Sequence, residues 1–318
     1  MRHALLILKV AVTLALLGGV LAAADLRALG RLLAATAPGY VAAAVAVLIV
    51  QTAVLGVRFH LIVKALGRPL TLRSAIELSF VGVFFNQALP SAVGGDAVRA
   101  WRLRADGRPW REAVNAVLLD RGSGVLVLAV LAAVAASVDG SGTFAPLRLA
   151  LWAVVAAGAL ALALVAAADR WRLVPAAVRR RAAASDLSEG VRTVVATRVA
   201  WSLALWSAAS HLLAVLAAYW LAAAVGIEPD FVIFATAALC MLLATMIPLS
   251  YAGWGIREAS AVWLLTRAGV TAETALAISV LFGAAILAAS LPGIAFWFAP
   301  AEMRRSESPP AASTPSRR

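Results

Sequence analysis

The stretch that decides the reading is Phe84-Phe85-Asn86-Gln87-Ala88-Leu89-Pro90-Ser91-Ala92-Val93-Gly94-Gly95-Asp96-Ala97-Val98-Arg99. An apolar segment, 74–89, runs into Pro90, which lacks a backbone donor and ends a helix. Gly94-Gly95 then permits backbone geometry that side chains would block. Asp96 falls at the start of the next helix, where a carboxylate suits the positive end of the dipole. Arg99 follows one turn later, within reach of Asp96 or of a lipid phosphate.

The surroundings of this break are oil. The 318 residues are 63% hydrophobic with a mean hydropathy of +0.91, well above the roughly half-apolar composition of soluble domains. Apolar runs of about twenty residues recur, each long enough to cross a hydrocarbon core of roughly 30 Å as a helix. Non-helical backbone at that depth is tolerated only inside protein or beside a water-filled cavity. The break therefore implies a polar cavity within an all-α, polytopic helical membrane protein.

Six full spans are expected, at 4–23, 40–62, 113–137, 149–168, 200–224 and 274–298. Two further apolar segments, 74–89 and 232–250, each run into a Pro/Gly-rich break, which makes eight apolar segments in all. The basic start and apolar run of 1–24 resemble a signal peptide, but the run is long for a signal core and is read as an uncleaved first span.

Charge orients the spans. The net charge of +12 comes in short clusters between apolar runs, which fits membrane topology and not a nucleic-acid surface. The richest loops are 64–73, 98–111 and 169–198. The first two flank 74–89, so a full crossing there would leave one of them outside. The expectation is a re-entrant hairpin over 74–97 entered from the cytoplasm and a second near 232–267 entered from outside. Both termini are then cytoplasmic. The loops left outside carry Asp139, Glu228 and Asp230.

This layout divides the chain into two similar halves, 1–140 and 145–300, each with two spans, a broken hairpin and a third span. Three crossings invert the second half. Inverted repeats with discontinuous helices are a recurrent transporter plan; an ordinary eight-span bundle is the plain alternative. The loop 169–198, with Arg170, Arg172, Arg179, Arg180, Arg181 and Arg192, suits anionic headgroups as an amphipathic helix, or simply sets topology. The tail 301–318 has little to bury and is expected to be a disordered cytoplasmic extension.

The second break reads Pro248-Leu249-Ser250-Tyr251-Ala252-Gly253-Trp254-Gly255-Ile256-Arg257-Glu258 and repeats the Pro, Gly, Arg order of the first. Gly253 and Gly255 would leave backbone N–H groups at a helix start, a site for an anion such as phosphate. Arg257-Glu258 adds a charge pair where charges are expensive. Asp120-Arg121 lies within the third span and Glu77 within the first hairpin; a buried network would have Asp120 or Glu77 neutralise Arg121, Arg99 or Arg257. Gln51, Asn86, Asn115 and His211 serve as interhelical hydrogen-bonding groups on the plain reading. Cys240, the single cysteine, lies in an apolar run and excludes an intramolecular disulfide. The scattered His3, His60 and His211 give no metal motif, and no metal or cofactor is expected.

Taken together, Asn86, Pro90, Gly94, Gly95, Asp96 and Arg99, the Asp120-Arg121 pair, and Pro248 to Glu258 resemble the lysylphosphatidylglycerol synthase transmembrane, or flippase-like, family over nearly the whole chain. The resemblance implies lipid translocation. In the bacterial enzymes that aminoacylate phosphatidylglycerol, this membrane half is associated with moving the modified lipid between leaflets. Relatives occur in hopanoid pathways and fused to archaeal dolichol-linked glycosyltransferases. With the chain ending in a short tail, synthase activity is not carried over. One departure is the Ser250-Tyr251-Ala252-Gly253-Trp254-Gly255 run, where relatives more often show Gly-Gly-Leu-Gly; Tyr251 and Trp254 would narrow the site.

The expected function is a carrier moving an anionic or modified phospholipid or a polyprenyl lipid between the leaflets of a bacterial inner membrane. Its binding residues would be Asn86, Pro90, Gly94, Gly95, Asp96, Arg99, Asp120, Arg121, Pro248, Gly253, Gly255, Arg257 and Glu258. The rival readings are a membrane-embedded transferase acting on a lipid phosphate, with Asp96, Asp120 and Glu258 as candidate acids or bases, and an accessory subunit of an envelope-lipid biosynthetic enzyme. No catalytic spacing supports the transferase.

Overall fold

The structure is a computed structural model that describes residues 2–67, 70–89, 94–168, 170, 187–195, 198–247 and 253–298. Every regular element among them is an α-helix. In chain order these are α1 (Arg2–Ala23), α2 (Leu26–Ala34), α3 (Pro38–Ala65), α4 (Leu72–Ala88), α5 (Gly94–Ala105), α6 (Trp110–Val138), α7 (Ala145–Ala167), α8 (Leu187–Val195), α9 (Val199–Ala224), α10 (Phe231–Thr245), α11 (Ile256–Arg267), α12 (Ala272–Ser290) and α13 (Pro292–Phe298).

Local chemistry sets most of these boundaries. Asp25 opens α2 by accepting from the amides of Arg27 and Ala28 at 2.8 and 3.1 Å. Asp230 does the same for α10 through Val232 and Ile233. Thr71 and Thr271 cap α4 and α12 through the amides of Ser74 and Thr274. Each hydroxyl or carboxylate satisfies amides that have no intrahelical partner.

Five stretches among the described residues are long and apolar enough to cross a membrane: α3, α6, α7, α9 and the 27-residue run Ala272–Phe298 formed by α12 and α13. They match five of the six expected spans. The sixth, 4–23, lies in α1, whose part Ala11–Ala22 counts as a span together with α2 (Leu26–Ala34) across a 91° bend. The chain is thus a multi-pass membrane protein.

The two segments singled out as broken remain short. The 17 residues of α4 and the 15 of α10 extend roughly 22–26 Å at 1.5 Å per residue, less than the hydrocarbon core. In each case the next helix, α5 or α11, packs back on it. Pro90 and Pro248, the prolines expected to open the breaks, lie outside the described residues.

The main apolar core is shared by α3, α6, α7, α9, α10, α11 and α12, with Phe144, Leu221, Phe234 and Phe282 buried in it. Cys240 is one of its small members, as its apolar run suggested. A separate cluster holds α8 against the bundle through Val191, Val194, Leu119 and Ile62. The end of the basic loop therefore packs on protein, while its arginine-rich part, 171–186, and the tail 301–318 lie outside the described residues.

Candidate functional site

The first hairpin is held by a close backbone approach. A Cβ on Gly95 would overlap the carbonyl oxygen of Gly82, and the Gly95 amide donates to Asn86 Oδ1 at 2.8 Å. The glycine pair works here by removing bulk; neither Gly94 nor Gly95 has positive φ. Gly82 also seats the Arg99 side chain, whose Cδ lies 2.5 Å from where a Cβ would stand.

With the hairpin closed, α5 delivers two charges to α3 and α6. Asp120, 3% exposed, accepts from Arg58 Nε at 2.8 Å and from Arg99 Nη1 at 2.9 Å. Asp96, in the first turn of α5, pairs with Arg121 Nη1 and stands 3.6 Å from Arg99. Arg58 Nη1 donates to Ser207 on α9 at 3.2 Å. Arg99 lies over the Phe59 ring at 3.9 Å, where the face of the ring attracts a cation. The Arg99 Nε is buried with no hydrogen-bond partner. His211 Nε2 and the Gly124 carbonyl are 3.0 Å apart, so that nitrogen carries the proton and donates.

The second break builds a smaller cluster. Gly253 and Gly255 hold φ of +82° and +87°, a left-handed geometry that costs other residues roughly 1–2 kcal/mol. Glu258, fully buried, accepts from the Gly255 amide at 2.6 Å, from Arg257 at 2.6 and 3.0 Å, and from Ser279 on α12 at 3.3 Å. The Gly255 amide, expected to face an anion, is thus committed to Glu258. Arg257 lies over Trp254 at 4.3 Å and occupies the space where Gly283 has no side chain.

Between the breaks is a hollow with two lobes. One, of about 210 Å³, is lined by Arg58, Asn86, Asp96, Arg99, Asp120, Arg121 and His211 among others. The other, of about 230 Å³, is lined by Asn86, Arg121, Gly253 and Arg257 with apolar residues of α9, α10 and α12. Their shared polar residues are Gln51, Asn86 and Arg121. A water takes about 30 Å³ of liquid, so each lobe has room for a phosphate-sized group. The hollow lies beside both breaks, and charged, polar and apolar side chains line it together.

A profile of the lysylphosphatidylglycerol synthase TM region matches residues 6–293. The chain belongs to this family. No curated protein matches it in sequence. The family matches the resemblance carried by the two motifs, and it places the arginine-lined hollow in a lipid-related membrane region.

The site residues read from the sequence are thus distributed unevenly. Asn86, Asp96, Arg99, Asp120, Arg121, Gly253 and Arg257 line the hollow. Gly94, Gly95, Gly255 and Glu258 stand behind it and shape the breaks. Asp120 neutralises Arg99 as expected, but its second partner is Arg58. Glu77 pairs instead with exposed Arg73 at 2.8 Å, one turn away on α4. Sequence reasoning passed over Arg58, although an arginine inside an apolar run is itself a signal. It also passed over Gly82, Gly124 and Gly283, which seat the buried guanidiniums of Arg99, Arg58 and Arg257 and carry no signal in a glycine-containing span.

Proposed function

We propose that this family member is a flippase-like lipid carrier in which the two broken hairpins form a path for an anionic headgroup while the tails stay in lipid. It would act in a bacterial inner membrane with both termini cytoplasmic, without nucleotide hydrolysis, cofactor or chemistry of its own. The hairpins would belong to inverted halves, 1–140 and 145–300. The observation that carries this reading is the hollow itself: four arginines brought to one two-lobed space between interrupted helices, inside a bundle otherwise built from apolar spans. Intramembrane arginines are costly and mark substrate paths, and guanidinium groups match phosphate geometry.

The transferase reading has one supporting fact, since Asp96 and Asp120 line a single lobe. Both are ion-paired with arginines, and a general base needs a carboxylate within reach of the proton that it removes.

The test is movement of labelled anionic phospholipid across proteoliposomes. Protein-containing vesicles should exceed empty ones, and Arg257→Ala should cut the rate by about tenfold, the equivalent of about 1.4 kcal/mol of lost interaction. Rates equal to empty vesicles, or an unaltered rate in Arg257→Ala, would overturn the proposal.

A further inference from the structure

The charges around the hollow specify a headgroup. Among the described residues, four guanidiniums meet there, Arg58, Arg99, Arg121 and Arg257. Three carboxylates answer them: Asp120 takes Arg58 and Arg99, Asp96 takes Arg121, and Glu258 takes Arg257. One positive charge is in excess. The sequence segments 90–93 and 248–252 contain no Asp or Glu. Every carboxylate named is already bound to an arginine, so a ligand ammonium would meet guanidiniums and no open counter-charge.

We infer that the hollow selects a phosphodiester headgroup of single negative charge whose remaining part is uncharged and hydroxylic, and that it disfavours headgroups bearing an ammonium or a second negative charge. This rests on the lipid-carrier reading and names its substrate class. Low dielectric makes the count decisive, because an unmatched charge there is expensive. One phosphodiester brings the hollow to neutrality, while a zwitterion leaves the excess in place, a cation adds to it and a dianion overshoots. Arg99, which lines the hollow, has its Nε buried with no hydrogen-bond partner. The neutral groups suit a hydroxylic remainder. Asn86 spends its carbonyl on Gly95 and keeps its NH₂, and His211, donating through Nε2, keeps Nδ1 as an acceptor for a hydroxyl.

The experiment compares short-chain phospholipids with identical tails and four headgroups: glycerol phosphodiester, choline phosphodiester, phosphate monoester, and glycerol phosphodiester carrying an aminoacyl group. Binding is read as thermal stabilisation of the full chain in detergent, and transport is read in proteoliposomes. The glycerol diester should bind at least tenfold more tightly than the other three and be the one moved fastest. Asp96→Asn raises the excess to two and should shift preference toward the monoester. Arg121→Gln removes the excess and should bring the choline diester within about threefold of the glycerol diester. The two changes act in opposite directions, so a misfolded variant does not imitate the result. Equal binding of choline and glycerol diesters, or tighter binding of the aminoacylated lipid, overturns the inference and leaves the carrier reading standing. Binding of none of the four overturns both.

Discussion

Asp120→Asn offers the sharpest test of how this bundle holds its charges. The carboxylate joins three elements, accepting from Arg58 on α3 and Arg99 on α5 while sitting on α6. Asparagine keeps the volume and one acceptor oxygen, but removes the charge that the two guanidiniums share, leaving buried Arg58 with no carboxylate partner and Arg99 with only the 3.6 Å approach to Asp96. Breaking a buried pair from one side costs about 3–5 kcal/mol. At roughly 2 cal/mol/K per residue the unfolding entropy of a chain this size makes that a fall of about 5–8 °C in Tm. Thermal unfolding in one detergent, followed by tryptophan fluorescence, reads it. Glu77→Gln is the internal control: it breaks the exposed Arg73–Glu77 pair, where about 0.5 kcal/mol or less is at stake. A second variant closes the argument. Adding Arg58→Met to Asp120→Asn removes one stranded charge, so the double variant should be more stable than the summed single losses imply, by at least about 1 kcal/mol. An Asp120→Asn protein melting within about 1 °C of wild type, or strictly additive losses, would refute the buried network.

Other expectations follow from the same geometry. Gly283→Ala places a methyl in the Arg257 guanidinium and should cost about 1–3 kcal/mol and reduce lipid movement as Arg257→Ala does; Gly122→Ala, on α6 with open space around it, should be neutral or stabilise by about 0.5–1 kcal/mol. The Asp139 carboxyl, in the turn after α6, is raised by burial but lowered more by bonds from the Ser141 hydroxyl and the amides of Phe144, Ser141 and Thr143, so that it sits below the usual carboxylate value of 3.8. A depressed folded-state value means that its stabilisation is full above that pH and is lost as pH falls through the folded value. Melting curves from pH 7 to 3 should show Asp139→Asn losing less on acidification than wild type; parallel losses would contradict this.

Asp120 and Arg121 show why partner choice escaped the sequence. They are adjacent, yet neighbours on a helix point about 100° apart and do not face each other. Asp120 turns to Arg58, 62 residues away, and Arg99, while Arg121 turns to Asp96 on the hairpin. The Arg99–Asp96 pairing expected from spacing survives only as a 3.6 Å approach, because α6 offers a better placed carboxylate. Glu77 was a reasonable counter-ion by residue type, but its helix face leaves it with Arg73.

The chain alone determined that this is a helical membrane protein with two interrupted segments, since apolar run length and the prohibition on unpaired backbone in oil are properties of residues in order. It also determined that charge would gather at the breaks, because Pro, Gly and Arg recur there in the same order. Only the tertiary structure decided which arginines share a carboxylate, which glycines make room for them, and that the two breaks open onto one hollow. Those outcomes depend on which helix faces meet, and helix packing juxtaposes residues far apart in the chain by geometry that no local pattern encodes.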